Sequence, residues 1–233
     1  MNKILKYFNR FELFLLVFSL LVITVSFYIF DGTNYLAMFA SLLGIVALIL
    51  CAKGNPLGQA LIIVFGLIYG YISYTYAYYG EMLTYVGMST PMAAYALVSW
   101  IKNPYEGKHT EVKVNKINRS DVILLFPLTL IVTVAFYFIL KYLGTSNLLI
   151  STFSVSTSFA AVYLSAKRSP YYAIAYAFND IVLVILWILA SITDTSYVSV
   201  VVCFSIFLIN DLYGYYNWIK MERSQSKDSQ TAS

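Results

Sequence analysis

Residues 210–218 read NDLYGYYNW and close an apolar run that begins near Tyr197. The run is long enough for a membrane helix, yet its end holds one Asp and two Asn. A charged side chain at the bilayer centre costs at least about 2.5 kcal/mol, so it usually faces a cavity or a partner. Asn179-Asp180 forms a second such pair in the preceding apolar run. The two pairs together predict a polar site enclosed by membrane helices.

The composition predicts an all-α integral membrane protein. Hydrophobic residues make up 60% of the chain, charged residues 11%, and the mean hydropathy is +0.74. The apolar runs lack the strict alternation of barrel strands, which favours helices. The sequence predicts a single membrane domain over 1–233 with eight transmembrane helices, at residues 11–30, 35–52, 56–79, 82–101, 121–142, 147–165, 170–192 and 196–219.

Charge counting orients these helices. With eight spans, 14 of the 15 Lys and Arg residues fall on one side, and only Lys141 falls on the other. Positive charge accumulates on the cytoplasmic side of membrane proteins. We therefore expect both termini in the cytoplasm, with residues 220–233 forming a cytoplasmic tail.

Three short matches recur in the same order along the chain. Residues 24–28 (TVSFY) match 133–137 (TVAFY), 52–56 (AKGNP) match 166–170 (AKRSP), and 100–102 (WIK) match 218–220 (WIK). These matches predict a unit of four helices used twice, with 11–101 as the first repeat. A unit with an even number of helices re-enters from the same side, so the repeats are parallel, as in several transporters whose substrate site lies between the halves.

Helical geometry places the two polar pairs at one depth. Asp180 lies ten residues after Pro170, and Asp211 lies nine residues before Lys220, which puts both about 13–15 Å from the same surface. Asn210, Tyr213 and Asn217 share one helical face with Gly214, and Trp187 shares a face with Asp180. We expect substrate contacts from Trp187, Asn179, Asp180, Asn210, Tyr213 and Asn217, with Asp211 as support.

Each of these residues also has a structural interpretation. The Asn-Asp pairs would serve equally to hydrogen-bond helices together. Trp218, a candidate gating residue, lies where an interfacial anchor is expected. Gln59 is a weaker site candidate because it lies close to the predicted start of its helix. Six tyrosines of the third predicted helix suggest an aromatic belt. Tyr69 and Tyr71 are candidates to line the substrate path instead. The six are Tyr69, Tyr71, Tyr74, Tyr76, Tyr78 and Tyr79.

Enzymatic functions are disfavoured. His109 is the only histidine, so metal clusters and His-based triads lack their components. Cys51 and Cys203 are isolated and indicate neither a disulfide framework nor a metal site. No phosphate-binding glycine loop is present, and both Asp contexts are Asn-Asp, unlike those of intramembrane aspartyl proteases. We expect no cofactor, no metal and no nucleic-acid partner.

The chain resembles the PnuC-type vitamin transporters, the nicotinamide riboside carriers. The resemblance rests on the last helix (NDLYGYYNW, 210–218), on Asn179-Asp180 with Trp187, and on residues 100–104 (WIKNP) before a basic loop. It implies a SWEET-like fold of two three-helix bundles, here 35–101 and 147–219, with 121–142 as linker helix and 11–30 as an extra helix. It also implies homotrimers in the inner (plasma) membrane.

The resemblance further implies facilitated diffusion of an unphosphorylated vitamin precursor, which a cytoplasmic kinase then traps. By position, Trp187, Asn210 and Tyr213 would contact the ring and ribose, with Asn179 and Gln59 as additional polar contacts. The chain departs from the nicotinamide riboside members in lacking a second Trp one turn from Trp187. We therefore expect nicotinamide riboside uptake, with a thiamine or riboflavin carrier, or a non-transporting receptor, as the alternatives.

Overall fold

A computed structural model describes residues 7–75 and 79–231 of the chain. Seven helices in this part are long and apolar enough to cross a membrane. They are α1 (Arg10–Phe30), α2 (Tyr35–Ala52), α3 (Pro56–Thr75), α6 (Arg119–Tyr142), α7 (Leu148–Ala166), α8 (Tyr171–Ser191) and α9 (Val198–Thr231). The predicted all-helical membrane fold is confirmed.

The fourth predicted span, 82–101, is built from three shorter pieces. These are α4 (Tyr79–Leu83), a π-helical segment (Thr84–Ser89) and α5 (Thr90–Ile101). Pro91 lies in the first turn of α5 and has no N–H, and the N–H of Thr90 reaches back to the carbonyl of Tyr85. Pro91 cannot donate the usual hydrogen bond to the residue four positions earlier, and the N–H of Thr90 bonds to the residue five positions earlier. Together these two features account for the wider, π-helical turn. With this fourth run, the part of the chain that the structure describes contains eight long helical segments, as predicted.

The bounds predicted for the third and fourth helices, 56–79 and 82–101, leave Gly80-Glu81 as a connecting turn, and this prediction was wrong. α3 already ends at Thr75, and both residues belong to α4. A Cβ at Gly80 would collide with the Thr145 hydroxyl and with Leu140 at 2.6 Å. The glycine therefore serves close packing against the end of α6 and the loop that follows it.

The last helix is longer than the sequence suggested. We predicted its end near residue 219, but α9 continues to Thr231. Gln225 lies on this extension and holds a two-stranded hairpin, β1 (Pro104–Tyr105) and β2 (Lys108–Val112), within the predicted polar loop. Its Oε1 accepts from Val114 N at 2.8 Å, and its Nε2 donates to Val112 O at 3.2 Å. These bonds to the hairpin support the additional helical turns.

The two halves exchange matching hydrogen bonds at one end of the bundle. Trp100 Nε1 donates to Ser165 O at 2.9 Å, and Trp218 Nε1 donates to Cys51 O at 2.8 Å. The indole rings of Trp100 and Trp218 lie 5.2 Å apart between centroids, and neither has exposed surface. The expected role of Trp218 as an interfacial anchor is therefore wrong, because a membrane-interface ring must be exposed to headgroups.

Two ion pairs repeat the same correspondence. Asn9 caps α1 and Glu12, three residues on, pairs with Lys53 at 3.0 Å. Asn118 caps α6 in the same way, and Asp121 pairs with Lys167 at 2.6 Å. In each half a capped helix is thus tied to the loop that follows a helix of the bundle.

The helices differ in how much of their surface the bundle covers. α9 packs against α8, α2 and α1, whereas α7 packs against α6, α8 and α5. Leu140 is the one fully buried residue of α6 among those described, and Leu128, Val132 and Phe136 on the same helix are half-buried against the bundle. Tyr71, Tyr74 and Tyr79 are also exposed, as an aromatic belt requires, while Tyr76 and Tyr78 lie outside the described residues.

Candidate functional site

A cavity of about 140 Å³ lies inside the helical bundle. Because a single water needs about 10–15 Å³ on this kind of measure, the space can hold several waters or part of an organic ligand. α2 and α3 form one wall, the fourth helical run closes it, and α7, α8 and α9 form the other wall. Its polar lining comprises Glu81, Thr84, Tyr85, Ser89, Thr90, Thr145, Ser151, Ser154, Ser158, Tyr172, Tyr176, Asn179, Asp180 and Asp211.

Asp180 and Asp211 meet at this cavity from adjacent helices. Asp180 lies on α8 with 4% of its surface exposed, and Asp211 lies on α9 with 5% exposed. Both residues line the cavity. Oδ2 of Asp180 is buried without a hydrogen-bond partner in the described structure. The two residues were predicted to lie at the same depth from their positions along the helices, and both carboxyl groups line the same cavity.

Asn179 and Trp187 complete the α8 side of the cavity. Thr157 Oγ1 donates to Asn179 Oδ1 at 2.7 Å, which fixes the orientation of the amide. Trp187 packs against Tyr197, with ring centroids 5.3 Å apart. Both residues line the cavity, so the predicted cluster of Asn179, Asp180 and Trp187 is present as one surface. Contact with a substrate stays a prediction for all three.

Asn210 and Tyr213 lie elsewhere, on the face of α9 that packs against α1. Asn210 Nδ2 donates to Ser19 Oγ at 3.0 Å and to Ile206 O at 2.8 Å. Tyr213 OH donates to Glu12 Oε1 at 2.8 Å. Neighbouring positions on a helix point about 100° apart, so Asp211 faces the cavity while Asn210 faces α1. Their predicted ligand contacts have no support from this geometry.

Three further candidates also lie away from the cavity lining. Asn217 Nδ2 donates to Ala52 O at 2.7 Å, and Gln59 Nε2 donates to Ser165 Oγ at 3.0 Å. Both bonds join one half of the chain to the other, at the end where Trp218 lies. Tyr69 is buried, and its hydroxyl is 3.1 Å from Ser41 Oγ.

A second cavity of about 350 Å³ lies beside the first and shares Glu81 and Trp187 with it. Tyr69 lines this second cavity, together with Asp31 and Asp194 from the turns after α1 and α8. The backbone N–H of Ser196 donates to Asp194 Oδ1 at 2.9 Å and holds the pKa of Asp194 below its usual range. The Asp194 carboxylate is therefore ionised at neutral pH.

Glu81 is the residue that sequence reasoning missed. It lines both cavities, although the sequence suggested only a turn at that position. An acidic residue beside a glycine is typical of a turn, so no sequence signal distinguished it from Asp31-Gly32, which does end a helix. The structure places Gly80 and Glu81 together in α4, where Gly80 packs closely against Leu140 and Thr145.

The ionisable Asp, Glu, Lys and Arg side chains that line the two cavities, among the described residues, are all acidic. Within the described residues, no Lys or Arg lines either cavity, whereas Asp and Glu supply five of the lining residues. The same residues form no cluster of three or more metal-ligand side chains. The site thus combines aromatic rings, hydroxyls, an amide and carboxyl groups, which suits an organic molecule with a planar, electron-poor or cationic ring.

Comparison with known proteins agrees with this description. The family model described as "Nicotinamide mononucleotide transporter" matches residues 34–220, most of the chain. The chain belongs to this family of membrane transporters. The match begins at the start of α2, so α1 lies outside it.

Two relatives carry the name nicotinamide riboside transporter PnuC. The protein from Neisseria mucosa is 24% identical over 204 residues, covering 85% of this chain and 77% of the relative. That from Haemophilus influenzae is 24% identical over 195 residues, covering 83% of each. A crystal structure of the vitamin B3 transporter PnuC superposes with a TM-score of 0.80 at 23% identity, over 94% of both chains. The chain shares the PnuC fold and is a multi-pass transporter, not an enzyme.

Proposed function

We propose that the chain carries nicotinamide riboside across the inner membrane into the cell by facilitated diffusion. The observation that carries this proposal is the cavity between the halves, with Trp187, Asn179 and Asp180 on one wall. Its rings can stack on a pyridinium ring, and its polar groups can hydrogen-bond an amide and a ribose. The names of the two curated relatives support the same substrate.

The riboside is favoured over the mononucleotide that the family description names. A phosphate group carries up to two negative charges and is usually held by Arg, Lys or backbone N–H groups. The described lining of both cavities offers carboxylates and no basic side chain. A phosphorylated substrate would be repelled at this site, so the unphosphorylated form is the better fit.

The proposed helix arrangement rests on the internal sequence repeat, and the proposed orientation rests on the distribution of Lys and Arg along the chain. The matching bonds of Trp100 and Trp218 support two parallel bundles, 35–101 and 147–219, in a SWEET-like arrangement with 121–142 as linker. Both termini and the tail 220–233 would be cytoplasmic, and the chain would form one membrane domain. A cytoplasmic kinase would trap the riboside by phosphorylation, and homotrimers are the expected assembly.

Uptake of labelled nicotinamide riboside into proteoliposomes tests the proposal. We expect saturable uptake, competed by unlabelled riboside and not by the mononucleotide. Trp187→Ala should reduce uptake at least about fivefold, because one stacked ring contributes about 1 kcal/mol or more. Tyr216→Ala, on the exposed face of α9, is the matched control and should leave uptake unchanged.

Each alternative predicts its own outcome. A thiamine or riboflavin carrier would give uptake of that vitamin, with no competition by nicotinamide riboside. A receptor would bind ligand without flux into the vesicle. Absence of saturable riboside uptake above empty vesicles would contradict the proposed function.

A further inference from the structure

Thr90, which lines the cavity of about 140 Å³ between the halves, lacks a hydrogen bond that hydroxyl groups in helices commonly make. A Ser or Thr side chain inside a helix often donates to the backbone carbonyl one turn earlier, as Thr133 does to Thr129 O at 2.7 Å. Thr90 Oγ1 is buried and has no hydrogen-bond partner in the described structure. An unpaired polar atom that is shielded from water is costly, so this hydroxyl is a candidate to bond a ligand.

Two features of the neighbouring backbone hold the Thr90 hydroxyl at the cavity. The π-helical segment Thr84–Ser89 ends directly before Thr90, and the Thr90 N–H bonds to Tyr85 O, five residues earlier. Such π-helical turns occur frequently at functional sites. On the facing helix α3, a Cβ at Gly66 would lie 2.5 Å from Thr90 Oγ1. The glycine therefore leaves the space that the hydroxyl occupies, and Gly66 lines the same cavity.

Thr90 and Asp180 line the cavity at one depth, from opposite halves of the chain. Thr90 lies ten residues before Trp100, whose indole bonds to Ser165 O near the end of α7. Asp180 lies ten residues after Pro170, which precedes α8 at the same end of the bundle. At 1.5 Å per residue, both are about 15 Å from that end. Asp180 is 4% exposed, and its Oδ2 is also buried without a partner in the described structure.

Trp187 lies farther along the same cavity. It follows Asp180 by seven residues of α8, which is about 10 Å toward the opposite end of the bundle. In the proposed function the pyridinium ring stacks on Trp187. The ribose is then the end of the substrate that reaches the level of Thr90 and Asp180. A hydroxyl group both donates and accepts, so a ribose hydroxyl can pair with either of the unpaired oxygens.

We propose that Thr90 is a substrate contact, whose hydroxyl bonds one hydroxyl group of the ribose. This inference rests on the proposed function and adds a specificity-determining residue from the first half of the chain. Asp180 Oδ2 offers a second unpaired oxygen on the opposite wall. The ribose is thus held between the two halves, while the ring is held by the second half alone.

Transport of nicotinamide riboside and its singly deoxygenated forms into proteoliposomes tests this contact. Thr90→Val replaces the hydroxyl by a methyl group of similar size and should lower kcat/KM for the riboside at least about fivefold, as expected for one lost hydrogen bond. Thr90→Ser keeps the hydroxyl and should retain the wild-type value within about twofold.

The deoxygenated substrates identify the bonded group. One of the 2′-deoxy, 3′-deoxy and 5′-deoxy forms should be carried equally well by the wild-type and the Thr90→Val protein, because the bond is already absent from that pair. The other two forms should still show the loss on substitution. This selective pattern distinguishes a substrate contact from a structural role, which would affect all compounds alike.

Thr129→Val is the matched control. Thr129 Oγ1 is also buried without a partner in the described structure, but it lies on α6, outside the described lining of both cavities. The same substitution there should leave transport of all four compounds unchanged. If Thr90→Val does not yield folded protein, Gly66→Ala takes its place. The added Cβ must displace the Thr90 hydroxyl and should give the same selective loss.

The outcomes are distinguishable. Wild-type protein without saturable riboside uptake contradicts the proposed function. Active wild-type protein overturns the Thr90 contact alone if Thr90→Val leaves riboside uptake unchanged, or if it lowers uptake of the riboside and of every deoxy form by the same factor.

Discussion

Single hydrogen bonds decide what the polar residues of α9 do. Asp211 and Asn210 are neighbours in sequence, yet one faces the cavity and the other bonds to Ser19 on α1. Tyr213 donates to Glu12, which is 1% exposed and also pairs with Lys53. These contacts give Asn210 Nδ2 and the Tyr213 hydroxyl partners inside the protein and favour a structural role, while Asn210 Oδ1 is buried without a hydrogen-bond partner in the described structure. The resemblance to PnuC carriers assigns the same face to the substrate, so the two interpretations make opposite predictions.

The variant Tyr213→Phe distinguishes a structural role of this helix face from contact with the substrate. We expect a loss of about 1–3 kcal/mol in the free energy of unfolding, because one acceptor of a buried carboxylate loses its donor. The KM for riboside uptake should stay within twofold, since Tyr213 lies outside the cavity lining. Thermal unfolding in detergent and uptake kinetics measure the two quantities, with Tyr216→Phe as an exposed control. A raised KM with unchanged stability would support ligand contact instead.

At the scale of helices, α1 is attached to the bundle by polar contacts spaced along one stripe. Glu12, Ser19 and Ser26 recur every seven residues and are all buried. The family model matches residues 34–220, so α1 lies before the matched region. Its Glu12–Lys53 pair corresponds to Asp121–Lys167 on the linker helix, but the second pair is more exposed.

The two pairs should therefore contribute unequally to stability. Lys53→Ala would leave the Glu12 carboxylate buried and unpaired, at a cost of about 3 kcal/mol or more. Lys167→Ala breaks a pair in which the lysine is 34% exposed and the carboxylate 13%, so the expected loss is about 1 kcal/mol or less. The pKa of Lys167 is raised by its bond to Asp121, in keeping with a real but solvated pair. Equal shifts in melting temperature for the two variants would contradict this ranking.

At the scale of the whole molecule, the positive charges and the repeat assign a direction to the chain. The loop that contains His109 should lie in the cytoplasm, and the turn after Tyr142 should lie outside. Both residues are exposed, and the native Cys51 and Cys203 are each 2% exposed. Cysteine substitutions can therefore be introduced without removing the native thiols.

We expect Tyr142→Cys to react with an impermeant maleimide in intact cells. His109→Cys should react only after permeabilisation, and the unsubstituted protein should react in neither case. The reverse labelling pattern would place both termini outside.

Local sequence signals predicted most of the helices. α2 has the predicted bounds, 35–52, because apolar length and flanking polar residues are local properties. The fourth run and α9 differ for a tertiary reason. Gly80 lies in α4, where Leu140 and Thr145 pack closely against it, and α9 continues past residue 219 to where Gln225 bonds to Val114 after the hairpin. Neither partner can be identified from the residues near the boundary.

The sequence by itself predicted the membrane class, the eight long helical segments and the equal depth that brings Asp180 and Asp211 to one cavity. These follow from hydropathy, helical rise and repetition, which act along the chain. Only the tertiary structure decided that Asp211 faces the cavity while Asn210, Tyr213 and Asn217 bind other helices. The rotation of a helix about its axis depends on which neighbours surround it, and a neighbouring helix such as α1 can satisfy a polar face that would otherwise be available to a ligand.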